Sequence, residues 1–302
     1  MLYYIYIKNF MWEALNMDKF ERIFSLIHNE IKPNVDYVQF KKMLIVYSEK
    51  IMKSFLNGKS MCICHIESLK NGLRGTANYN KKTNTYRITI SEAVVKSIYD
   101  GTNPFNIFVV FHEISHVYDE FNIKNKNFKD ANIKRICIEY GLIESLPVIG
   151  TMFYKRNYET TAIESHANLI GAQLTRDFYK KCNIDFSDIE QKGLLFLEFS
   201  SLQRLHNTDR DYSHLFDGYT FNDYRLPLSQ IVSEIEKRYP NIYEKLKEYV
   251  GEENLVFDGD NETTEFENKL YDEYAILELS DIIRNPLFTS LVEEKSHHRP
   301  KL

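Results

Sequence analysis

The chain contains 302 residues, of which 43% are hydrophobic and 27% are charged, a balance that is typical of globular proteins and excludes wholesale disorder. Its formal net charge of −5 gives no general attraction for phosphate backbones, so nucleic acid is not an expected partner. No stretch approaches the roughly 18 consecutive apolar residues that a membrane span needs, so no membrane span is expected.

The N-terminal region, residues 1–60, is predicted to be helical. Residues 1–10 are apolar, but a lysine interrupts them and no small-residue cleavage site follows, unlike in a signal peptide. From Asp18 to about Phe55, apolar residues recur at three- and four-residue intervals, with a break around Pro33. We therefore expect two amphipathic helices here. Because neither a signal-peptide pattern nor a membrane-spanning stretch is seen, we expect the protein to be cytoplasmic.

A β-hairpin is predicted next. Thr76–Tyr79 and Tyr86–Ile90 are β-prone and are separated by a polar turn, which predicts a small antiparallel sheet. Just upstream, Cys62, Cys64 and His65 suggest half of a metal site. In a strand, however, Cys64 and His65 point to opposite faces, and no second half follows. We interpret all four cysteines as small buried thiols, as in a reducing cytoplasm: Cys62, Cys64, Cys137 and Cys182.

A long buried helix follows the hairpin. Asn103 is a favourable N-cap, and Pro104 suits the first helical position because its missing N–H would be unpaired there anyway. This helix is predicted to run to about Phe121. Because it is apolar over most of its surface, we expect it to lie inside the domain.

Helical patterns also dominate the remainder of the sequence. One helix is predicted from Thr160 or Thr161 to about Tyr179, and further helices follow with polar connections. The sequence therefore predicts a helix-rich α+β fold. Its three predicted regions are an N-terminal helical region, a core that carries the site, and a C-terminal helical region: residues 1–60, 61–181 and 182–302.

The buried helix contains an HExxH motif, His112-Glu113-Ile114-Ser115-His116. Residues i and i+4 share a helix face, so both imidazoles can reach one ion. Glu113 projects about 100° around the helix from His112, where its carboxylate can meet a metal-bound water. Zinc lowers the pKa of such a water to about 7, and Glu113 is predicted to remove its proton as general base. Histidines in an apolar helix are costly unless they are paired, which favours zinc binding over a simple buried pair.

A catalytic zinc site needs a third protein ligand and an open fourth position. The best candidate is Glu164, because Glu164 and Asn168 share a helix face and Asn168 can support a ligand histidine. Ala167 and Gly171 would let this helix approach the HExxH helix closely. The alternative ligands are His166, Glu159, Glu139 and Glu144. For each of the three glutamates, an ordinary surface salt bridge is the competing explanation. A proton donor facing the zinc is also expected, with core packing as the competing explanation for each candidate: Tyr154, Tyr158, His206 and His214.

The order of a strand ending in Arg87–Ile90, then HExxH, then E-x-x-A-N resembles the gluzincin zinc peptidases, and within them is most similar to the ImmA/IrrE-type metallo-endopeptidases. The resemblance covers roughly residues 74–178. It implies a zinc-bearing helix, a ligand glutamate on a later helix, and a short sheet whose edge strand lines the substrate cleft. The sequence departs from the family at Ser115, commonly glycine, and at His166, usually acidic. It also departs in the interval of 48 positions from His116 to Glu164, which is longer than usual.

These observations predict a gluzincin-like zinc metallo-endopeptidase that hydrolyses peptide bonds. Zinc is expected on His112, His116 and Glu164, with Glu113 as general base. The expected partner is a protein or peptide substrate, and the resemblance makes a regulatory protein one candidate by analogy. One alternative is a non-catalytic, zinc-stabilised regulatory or interaction protein of the same fold, although an intact Glu113 argues against it. Another is a toxin-like effector peptidase with the same chemistry.

Overall fold

A computed structural model describes residues 18–56, 58, 60–128, 131–145, 161–184, 193–195, 197–198, 201, 205 and 228–255. The helices are α1 (Asp18–His28), α2 (Tyr37–Phe55), α3 (Glu92–Tyr99), α4 (Ile107–Lys124), α5 (Ala131–Ser145), α6 (Ala162–Lys181), α7 (Leu228–Arg238) and α8 (Pro240–Val250). The strands are β1 (Met61–Glu67), β2 (Gly75–Asn80) and β3 (Thr85–Ser91), and 3-10 helices cover Pro104–Asn106 and Glu252–Leu255. The helix-rich α+β class is confirmed.

The chain forms two compact units. Among the described residues, the first contains those within 18–118 and 168–198, and the second contains those within 119–167 and 201–255. Two of the boundaries fall inside continuous helices, one within α4 and one within α6. The sequence-based division at residues 60 and 181 stays a prediction.

The sheet of the first unit is mixed, so the prediction of an antiparallel sheet was wrong. Its order is β1-β3-β2, and β2 pairs with β3 antiparallel, as the hairpin prediction required. β1 pairs with β3 in parallel, with Cys62 opposite Tyr86. The prediction considered only the hairpin. Along β1, Cys62 and Cys64 are buried while Met61 and His65 are exposed, so this segment is a third strand with one apolar face, and tertiary packing rather than this alternation sets its direction.

An aromatic cluster forms the core beside this sheet. Phe20 of α1 lies 4.8 Å from Tyr47 of α2 and 6.1 Å from Phe178 of α6, measured between ring centroids. Phe111 of α4 lies 5.4 Å from the same Phe178 ring. Aromatic pairs of this kind contribute about 0.5–1.5 kcal/mol each beyond the area they bury. The cluster therefore holds the helix with the HExxH motif against α6.

Helix starts also follow the sequence. Pro104 occupies the first position of the 3-10 turn that precedes α4, as predicted, although the Asn103 side chain makes no capping hydrogen bond. Thr161 caps α6, because its Oγ1 accepts a hydrogen bond of 3.3 Å from the Glu164 backbone N–H. The predicted start of that helix at Thr160 or Thr161 is thus confirmed.

The described part of the second unit is helical. Leu246 and Val250 of α8 are buried, and a Cβ on Gly141 of α5 would meet the Leu246 side chain at 2.6 Å, so α5 and α8 pack closely. Glu139 of α5 accepts a hydrogen bond of 2.7 Å from the backbone N–H of Ala162. This contact joins α5 to the first residue of α6. Across the described ranges, no helix combines the length and the apolar character needed to cross a membrane.

Candidate metal centre

The two histidines of the HExxH motif point at a common location. His112 and His116 lie one turn apart on α4, and their Nε2 atoms are 3.1 Å apart. The rings are perpendicular, with centroids separated by 4.7 Å. Two nitrogens held by zinc at bond lengths of 2.0–2.1 Å and a tetrahedral angle would lie about 3.3 Å apart. The spacing of the imidazoles is therefore close to that of two ligands of one ion.

Glu164 joins these histidines from the first turn of α6. One ligand atom each from His112, His116 and Glu164 can be chosen so that all three lie within 4.8 Å of one another. Glu164 is 2% exposed and His112 is 8% exposed. Two imidazole nitrogens and a carboxylate oxygen are a donor set that zinc uses in catalytic sites. The residues present therefore fit the ion, and a buried carboxylate is costly unless it is paired or coordinates a metal.

The departure from glycine at Ser115 is accommodated within α4. Ser115 is fully buried, and its hydroxyl donates a hydrogen bond of 2.7 Å to the backbone carbonyl of Phe111. A buried hydroxyl satisfied by the preceding turn carries little cost. The serine therefore leaves the helical geometry of the motif intact.

Gly171 brings the backbones of α4 and α6 together. A Cβ at this position would lie 3.0 Å from the Cα and 3.1 Å from the N of His112, and 3.3 Å from the ring of Phe108. Phe108 also packs with Phe105, Ala172 and Leu194 in one buried cluster. The close helix approach predicted from the small residue is therefore present at Gly171.

His166 is not part of the histidine–glutamate cluster. It is 1% exposed, and its Nδ1 lies 2.7 Å from Oδ1 of Asp119, which is fully buried. Asp119 follows His116 by three residues on α4, and His166 follows Glu164 by two on α6. The pair thus links the two helices beyond His116 and Glu164. The sequence analysis did not identify Asp119 as a candidate residue, although its i, i+4, i+7 relation to His112 and His116 places it on the same helix face.

The remaining candidates occupy other positions or lie outside the described residues. Glu139 accepts the Ala162 N–H and so sits at the N-terminus of α6. Glu144 belongs to α5, and its side chain is not described. Asn168 is half-buried on α6, and its predicted support of a histidine stays a prediction. The other candidates lie outside the described residues: Tyr154, Tyr158, Glu159, His206 and His214.

Glu113 lies against the beginning of β2. It is 7% exposed, and a Cβ on Gly75 would be 2.5 Å from its Oε1 and 2.6 Å from its Cγ. The carboxylate next to His112 and His116 on α4 is therefore bounded by strand backbone rather than by another side chain at this point.

The cysteine-rich strand forms no metal group with His65. Cys64 is buried while His65 is exposed, and the described ranges contain one cluster with metal-ligand spacing, the one just described. All four cysteines are free and buried. Burial raises the pKa of Cys62 to about 11 and that of Cys64 to about 12, so both stay protonated near neutral pH.

The site is thus a buried cluster of two histidines and a glutamate on two adjoining helices, with a second glutamate beside it at the edge of a mixed sheet. Comparisons of the chain with protein-family models, with curated proteins and with solved structures each found no match.

Proposed function

We propose that this protein is a zinc-dependent metallo-endopeptidase. The observation that carries the proposal is the convergence of His112, His116 and Glu164, with the second residue of the HExxH motif buried beside them. Fixed tertiary contacts support the convergence, because Gly171 allows the two helices to touch and the Asp119–His166 pair joins them one turn further along. We propose the three residues as the zinc ligands.

A zinc ion held by these three residues would supply a Lewis acid and would lower the pKa of a water to about 7. Glu113 then accepts a proton from the attacking water and passes it to the leaving amide nitrogen, the work of a general base and acid. His112 and His116 would each bind zinc through a neutral imidazole nitrogen.

The proposed substrate is a protein or peptide segment in extended form. β2 is at one end of the sheet order and pairs with β3 along one side, so an extended peptide can add main-chain hydrogen bonds along its other side. Glu113 lies against Gly75, the first residue of this strand. A peptide that follows β2 would therefore bring a carbonyl group towards the cluster. A regulatory protein with an exposed flexible segment is the kind of target we propose.

We also propose a cytoplasmic location. All four cysteines are free and buried, with no disulfide among them. Thiols that stay unpaired are typical of a reducing compartment.

The deciding experiment compares the wild-type protein with Glu113→Gln and His112→Ala. Each would be loaded with zinc, analysed for bound metal, and incubated with a denatured proteome in which new chain termini are counted. Glu113→Gln keeps the volume and removes the proton acceptor, so we expect it to retain zinc and lose about 10²–10⁴ or more in rate. His112→Ala should lose both zinc and activity.

The same comparison separates the peptidase from its non-catalytic alternative. Wild-type protein that retains zinc, remains folded and generates no zinc-dependent termini would support a zinc-stabilised interaction protein. Equal cleavage by the wild type and Glu113→Gln would remove Glu113 from the reaction.

A further inference from the structure

Gly75 is the first residue of β2, and its backbone conformation does not explain why this residue is a glycine. Its φ is not among the positive values found in the described residues, so its conformation is open to any amino acid. A glycine within a strand loses stability relative to alanine, because it is more flexible in the unfolded chain and packs nothing. Some other feature must therefore require glycine.

That feature is the side chain of Glu113. A Cβ on Gly75 would lie 2.5 Å from Oε1, 2.6 Å from Cγ and 2.8 Å from Cδ of Glu113. Ordinary van der Waals contact of a Cβ begins near 3.4 Å, so the glutamate would have to move by about 1 Å. Because Gly75 has no side chain, the Glu113 carboxylate can occupy this volume.

The strand cannot readily move away instead, because the preceding residue is held from two sides. The backbone carbonyl of Arg74 accepts a hydrogen bond of 2.8 Å from the N–H of Ser91. The Arg74 guanidinium donates a hydrogen bond to Oδ1 of Asn106, and the Asn106 side-chain amide donates one of 2.6 Å to the Ser97 hydroxyl. Asn106 immediately precedes α4, the helix that carries Glu113. The start of β2 is therefore fixed relative to the glutamate.

We propose that Gly75 is a positioning residue for Glu113: its backbone forms the wall against which the carboxylate rests. The proposal rests on the proposed function, in which Glu113 is the general base. An added methyl group displaces the base by about 1 Å while leaving all three proposed zinc ligands in place. A misplacement of that size can cost about 10²-fold in rate.

The test uses Gly75→Ala in the full-length, zinc-loaded protein, with fluorescein-labelled casein as the probe. We expect kcat to fall by about 10²-fold, KM to change by less than about threefold, and zinc content to stay at the wild-type level.

Gly141→Ala is the matched control. Its added Cβ would meet the Leu246 side chain at 2.6 Å, an equally close contact but with a different residue, so kcat should stay within about twofold of the wild type. Unchanged kcat in Gly75→Ala, or an equal fall in kcat for both glycine variants, would overturn the proposal.

A second measurement is independent of activity. Gly75→Ala should lower the Tm of the wild type but have no such effect on Glu113→Ala, because that change removes the atoms the methyl group would meet. Equal Tm shifts in both backgrounds would overturn the proposed contact. If the wild type does not cleave casein or a denatured proteome, the peptidase proposal fails, and the Tm comparison still decides whether Gly75 holds Glu113 in place.

Discussion

Removing one partner of the Asp119–His166 pair is expected to destabilise the protein strongly. The two side chains are 0% and 1% exposed, and the contacting atoms are 2.7 Å apart. Asp119→Ala would leave a buried imidazole without this partner, and His166→Ala would leave a buried carboxylate. Breaking a buried pair costs about 3–5 kcal/mol. At about 2–4 °C per kcal/mol, the Tm should fall by about 6–20 °C.

The assay is a double-mutant cycle followed by thermal and urea unfolding. The double variant removes both partners, so its loss should be smaller than the sum of the single losses by about 1 kcal/mol or more. Asp119→Asn keeps an acceptor oxygen and should cost about 1–3 kcal/mol. Glu244→Ala is the control, since its ion pair with Lys247 is exposed and should contribute at most about 1 kcal/mol. An Asp119→Ala loss no larger than the control's, or strictly additive single losses, would refute the reasoning.

Four further predictions concern the site and the thiols. His112→Ala should abolish zinc binding in metal analysis, and full occupancy in this variant would reject the site. Glu164→Ala should release zinc, whereas His166→Ala, measured at a temperature where it is folded, should keep it; the reverse ranking would make His166 the ligand. Gly171→Ala would gain about 1 kcal/mol if helix propensity alone decided its stability, but the 3.0 Å contact with His112 should convert this into a net loss and weaken zinc binding, as thermal unfolding and zinc competition would show. The raised pKa of Cys62 adds stability below pH 9 that is lost as pH rises towards about 11, because the unfolded chain releases this proton first. Urea unfolding from pH 8 to 11 should therefore show a steeper decline for the wild type than for Cys62→Ala, and parallel declines would contradict the shift.

The sequence was most informative where a local pattern decides the structure. The α6 start near Thr161 could be predicted because capping depends on neighbouring residues, and the hairpin because alternation and a polar turn lie within 15 residues of one another. The spacing of His112 and His116 is a property of a single helix. For these features, the geometry is contained in a short stretch of chain.

Features that join distant segments were harder to predict. The parallel pairing of β1 with β3 depends on which strand edge is available after the hairpin forms, and β1 alone does not encode it. Asp119 and His166 are 47 positions apart, so no local pattern pairs them. The position of Gly75 against Glu113 likewise depends on how α4 packs beside the sheet. Tertiary packing supplies this information.

The long interval between the two motifs also limits how this protein could be shortened. The first backbone N–H groups of a helix have no partner within it, and at α6 the carboxylate of Glu139 supplies one for Ala162. Glu139 belongs to α5, within the 48 positions that separate His116 from Glu164. A deletion that shortened α5 would remove the Glu139 carboxylate, which caps the N-terminus of α6 two residues before Glu164. A shortened version of this protein would therefore need a new acceptor at that helix end before it could hold Glu164 in its present position.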